Sequence, residues 1–78
     1  MGWQQRIESD REICGGRPHI RGTRLTAEFL LGLKAAGWSE AQILDAYPHI
    51  TAEDIQAVFA FALALVQENE CLGLPKLI

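Results

Sequence analysis

The stretch GGRPHIRGTR, residues 15–24, gathers three arginines (Arg17, Arg21, Arg24), His19 and three glycines. Three chemistries would suit such a segment. Backbone amides of a glycine-rich loop can cradle a phosphate, arginines can grip a nucleic-acid backbone, and a histidine can join cysteines around a metal. The metal fails on spacing. His19 and His49 are the only histidines, Cys14 and Cys71 the only cysteines, and no two of the four form a CxxC or HxxxH pair. The phosphate loop fails too, because no Gly-Lys-Ser/Thr follows Gly15 and Gly16. The glycines are better explained by tight turns that need positive φ. Of the two serines, Ser9 and Ser39, the second is placed as a helix cap rather than a nucleophile. The expectation is a protein that is not an enzyme and carries no cofactor or metal.

Elements that could position these residues follow from punctuation. Thr26 is a helix cap with Glu28 in the first turn, and Gly37 suits the left-handed residue after the last turn, so the pattern predicts a helix over 27–36. Ser39 and Gln42 form a capping box, with Trp38 placed to staple onto Ile43. That short second helix must stop near Ala46, because Pro48 disfavours helical geometry at Tyr47. Thr51 caps a third helix with Glu53 and Asp54 in its first turn, running to about Glu70. Ahead of residue 26, Ile7, Ile13 and Ile20 are separated by turn-forming residues, which predicts short extended pieces or a β-hairpin. The expected architecture is mainly α: an amino-terminal arm over 1–25, a helix-turn-helix-like trihelical domain over 26–70 and a tail over 71–78.

The third helix would make a poor reading head for DNA. The segment TAEDIQAVFAFALALVQENE has no Lys or Arg and is acidic at both ends, so it would be repelled by phosphate. Instead every residue from Ala57 to Val66 is apolar, whereas a surface helix of a monomer should show a polar face. Ile55, Val58, Phe59, Ala62 and Val66 share a face suited to the core, and Phe61 and Leu65 then project elsewhere. An exposed apolar patch of this kind marks an interface, most simply that of a homodimer. The alternative is that the amino-terminal segment, with Trp3 and its isoleucines, folds back over it.

Charge is unevenly divided in this chain of 78 residues and net charge −3. Residues 1–34 hold six basic groups against four acidic ones, whereas residues 35–78 hold only Lys76 against six acids. Two differently charged surfaces imply two different contacts. Arg17, His19 and Arg21 are the candidates for DNA contact from a basic arm. Arg24 is placed for a structural role, pairing with Asp54 or Glu53, with Gly16, Gly22 and Thr23 shaping the turn. In the tail, Leu72 and Leu74 join Phe61 and Leu65 as candidates for dimer or partner contact. No apolar run is long enough for a membrane span and the opening residues are no signal peptide, so a soluble cytoplasmic protein with reduced thiols is expected.

The segments ICGGRPHIRGTRLTAEFLL and AAGWSEAQILDAYPHITAEDIQAVFAFA together resemble the small bacterial and archaeal family catalogued as domain of unknown function 433. The matching positions are Gly15, Gly16, Arg17, Pro18, Ile20, Gly22, Thr23, Arg24, Gly37, Tyr47, Pro48, Ile50, Thr51, Asp54 and Ile55. Two positions depart from the family pattern: Thr26 stands where a proline is common, and Cys14 replaces an aliphatic residue. The resemblance implies a homeodomain-like trihelical fold. It also implies a VapB-type antitoxin, encoded beside a PIN-like ribonuclease that it binds, and able to repress its own operon. The alternative is a DNA-binding regulator that works through the basic arm.

Overall fold

The computed structural model describes residues 2–68, which hold three helices and a two-stranded antiparallel sheet. Strand β1 (Ile7–Glu8) pairs with β2 (His19–Ile20), placing Ile7 opposite Ile20 and Glu8 opposite His19. The helices are α1 (Ala27–Ala35), α2 (Glu40–Ala46) and α3 (Ala52–Glu68). The tail assigned to 71–78, including Cys71, Leu72 and Leu74, lies outside the described residues.

Each helix starts where its cap dictates. The Thr26 hydroxyl accepts from the Phe29 amide at 3.0 Å. Ser39 and Gln42 satisfy each other's backbone amides at 3.1 and 2.7 Å, a complete capping box. Thr51 and Asp54 repeat that exchange at the start of α3, at 3.2 and 3.0 Å. Gly37 adopts φ 98° after α1, and the Trp38 amide returns to the Leu33 carbonyl at 3.0 Å, closing the helix as its glycine predicts.

The core joins the hairpin to the helices. Ile7 and Ile20 from the sheet, Ala27 and Leu30 from α1, Ile43 from α2, Ile50, and Ile55, Ala57 and Val58 from α3 are buried together. The amino-terminal segment is therefore one wall of the core and not a detached arm. Its long connection turns through Cys14, Gly15 and Gly16, all at positive φ. Cys14 is the one non-glycine residue among those described to adopt that conformation, and its thiol donates to the Arg24 carbonyl at 3.3 Å. The next turn, with Gly22 at φ 82°, is tied by Thr23, whose hydroxyl donates to the Ile20 carbonyl and accepts from the Leu25 amide.

The division of α3 differs from the sequence expectation. Ile55 and Val58 are core residues as predicted, but Phe59 is 42% exposed and Val66 59% exposed. Phe61, expected to project outward, is half-buried with its ring edge-on to Trp3, the centroids 5.0 Å apart. The reason is the 3-10 turn Trp3–Gln5, which packs along α3 and moves the buried stripe around the helix toward Ala57 and Phe61.

Candidate functional site

Two surfaces remain as sites: the basic edge of the hairpin and the outward flank of α3. The basic edge is largely neutralised by acids. Glu8 sits directly across the ladder from His19, so its carboxylate meets both partners at once. One oxygen lies 3.1 Å from His19 Nε2 and the other 3.3 Å from Arg21 Nη1. Arg21 also donates from Nε to the Gln5 carbonyl at 3.1 Å. Arg17 remains exposed but lies 3.6 Å from Glu28 across the start of α1.

His19 was a candidate for DNA contact, and the structure overturns that. The residue is wholly buried, because β2 runs between β1 and the bridge to Thr26, and no phosphate can reach its ring. Its Nδ1 donates to the Arg17 carbonyl at 3.1 Å, since a carbonyl oxygen can only accept. His19 is a structural post, anchored by Glu8 on its other side. Sequence reasoning missed Glu8, whose role follows from register: standing directly across the ladder from His19, its carboxylate comes within reach of the ring.

Arg24 does not make its expected pair either. It is exposed, and Asp54 is taken instead by Arg6, whose Nη1 donates to Oδ1 at 3.0 Å. Asp54 keeps the structural role predicted for it, buried at 9% exposure with its second oxygen on the Thr51 amide. Arg6 wins because the Trp3–Gln5 turn and β1 lie against α3, while residue 24 follows the turn after β2 and runs along the edge of that strand away from β1.

The outward flank of α3 is apolar. Phe59, Leu63 and Val66 lie on one stripe of the helix at 42%, 57% and 59% exposure. Leu65, 43% exposed, lines a groove of about 380 Å³ with Phe61, Leu31, Ala27, Pro18 and the Arg17–Glu28 pair. A second groove, of about 420 Å³, runs between Trp3, Arg6, Glu53, Gln56 and Ala60. Among the described residues, no group of three His, Cys, Asp or Glu side chains could hold a metal ion. Nor is any described helix long and apolar enough to cross a membrane.

The family model described as "Protein of unknown function (DUF433)" matches residues 7–62, from the first strand to the middle of α3. The chain belongs to the DUF433 family. The match takes in the Glu8–His19 ladder, the caps of all three helices and Asp54. A solved DUF433 member protein from Anabaena variabilis superposes with a TM-score of 0.77 at 28% identity, covering 86% of this chain and 66% of that one. An uncharacterized protein of Sinorhizobium fredii, y4eO, is 36% identical over 58 residues. This DUF433 chain spans about a quarter of that relative's length, 26%, while 74% of the chain is covered.

Proposed function

We propose that this DUF433 chain is an antitoxin-like interaction protein that homodimerises and binds a PIN-like ribonuclease, working by contact and not by catalysis. The observation that carries it is the apolar flank of α3, with Phe59, Leu63 and Val66 exposed together in water. Each such side chain contributes about 1.5–3 kcal/mol once fully buried. The acidic residues of the back half add charge complementarity toward the basic groove in which a nuclease holds RNA. The nuclease itself is the partner that the resemblance to VapB-type antitoxins implies.

The test is inhibition. A PIN-like ribonuclease encoded beside this gene, purified alone, should lose RNA cleavage when an equal molar amount of this protein is added. Full cleavage at a tenfold excess of the protein would sink the antitoxin reading.

The DNA-binding alternative has less support. A helix-turn-helix arrangement of α2 and α3 would present a helix without Lys or Arg to the phosphates. Arg17 and Arg21 lie 3.6 and 3.3 Å from Glu28 and Glu8, carboxylates that would compete with a phosphate for them. If the alternative were right, binding to duplex DNA would fall steeply with salt and vanish in Arg17→Ala/Arg21→Ala.

A further inference from the structure

We propose that the groove between α1 and α3 is the docking site of the segment that follows α3, residues 69–78 of the same chain, folded back in cis. The groove holds about 380 Å³ and is walled by Leu31 on one side and by Phe61 and Leu65 on the other. Residues 69–78 read NECLGLPKLI, with Leu72, Leu74, Leu77 and Ile78 as large apolar side chains to place. Gly73 and Pro75 oppose a longer α3, because glycine is a poor helix former and proline lacks the amide that a helix needs. The segment is therefore not carried off along the helix axis. Docking in the groove takes its leucines out of water against walls that are themselves apolar.

Position selects this occupant. Leu65 stands three residues before Glu68, so the chain leaves α3 about 4.5 Å along the axis from the groove's own wall. Ten further residues reach up to about 33 Å when extended, far more than the single helical turn from Leu65 back to Phe61. A segment on so short a tether acts at an effective concentration in the millimolar range. Charge agrees with position. At the exposed edge of the groove Arg17 and Glu28 lie 3.6 Å apart, a loose pair with side chains 69% and 81% exposed. The segment brings Glu70 ahead of its leucines and Lys76 among them, the only base after Lys34. Glu70 suits Arg17 and Lys76 suits Glu28. The docking leaves the outward flank of α3 untouched and rests on neither the dimer nor the ribonuclease.

Proton–nitrogen correlation spectra of the full chain and of Leu74→Asp/Leu77→Asp test the docking, since neither substitution touches the core. The amide signals of Arg17, Glu28, Leu31 and Phe61 should differ between the two proteins. Those of Gln42 and Asp45, on α2 and away from the groove, should not. The wild-type signals should hold their positions from millimolar down to micromolar concentration. A synthetic peptide of residues 69–78 should return the double variant's signals toward the wild-type positions. It should bind that variant at least about tenfold more tightly than the wild type, whose groove is already filled. Lys76→Glu, which sets an acid near Glu28, should place the signals between the wild type and the double variant. Unchanged groove signals in the double variant overturn the docking, as does a peptide that binds both proteins equally. Signals that move on dilution mean that the segment of a second copy fills the groove, which overturns docking in cis. A Lys76→Glu chain with wild-type signals overturns the pairing with Glu28.

Discussion

The Arg6 guanidinium donates to Oδ1 of Asp54 at 3.0 Å, across 48 residues of sequence. The bond ties the entrance of β1 to the first turn of α3. It uses the carboxylate oxygen left over once the other has capped the helix. Asp54 is thus cap and ion-pair partner at once, which is why a carboxylate can sit at 9% exposure.

Arg6→Ala should lower stability in urea unfolding by about 1–2 kcal/mol, a range reduced because Arg6 is one-third exposed. Arg24→Ala should stay within about 0.5 kcal/mol of wild type. Equal losses at the two positions would show that Arg6 is not the partner that matters to Asp54.

His19→Ala should cost about 2–4 kcal/mol, because it opens a cavity and strips partners from Glu8 and the Arg17 carbonyl. Calorimetry of this variant separates the buried post from a surface role. A melting temperature unchanged from wild type would mean that the ring lies in solvent after all.

Trp3→Ala should destabilise by about 1–3 kcal/mol through loss of the edge-on contact with Phe61 and its buried area. Phe61→Asp should unfold the chain, because it places a charge beneath Trp3. Chemical denaturation of the two variants beside Leu63→Glu tests this division of α3. A Phe61→Asp protein as stable as Leu63→Glu would contradict it.

Two glycines should respond in opposite directions. Gly32 lies exposed inside α1 with open space where a Cβ would project, so Gly32→Ala should add about 0.5–1 kcal/mol of helix stability. Gly37 has equal space but φ 98°, so Gly37→Ala should cost about 1 kcal/mol or more in left-handed strain. Thermal melts of the pair are enough, and a shared sign would refute the conformational explanation.

Helix starts and stops were written in the sequence by itself. Thr26, Ser39 and Thr51 each act on the amide three residues away, and Gly37 and Pro48 restrict their own and neighbouring dihedrals. Such effects are local, so residue order alone determines them. The turn role of Gly16, Gly22 and Thr23 was legible for the same reason. Which carboxylate meets which base was not. Arg6 rather than Arg24 on Asp54, and Glu8 between His19 and Arg21, depend on hairpin register and on where the hairpin lies against α3. Nor could the core-facing side of α3 be read from a run in which every residue from Ala57 to Val66 is apolar. Periodicity fixes a face only when polar residues mark its edges. On an unmarked helix the choice fell to packing: Trp3 reached Phe61 from across the chain and left Phe59, Leu63 and Val66 to the solvent.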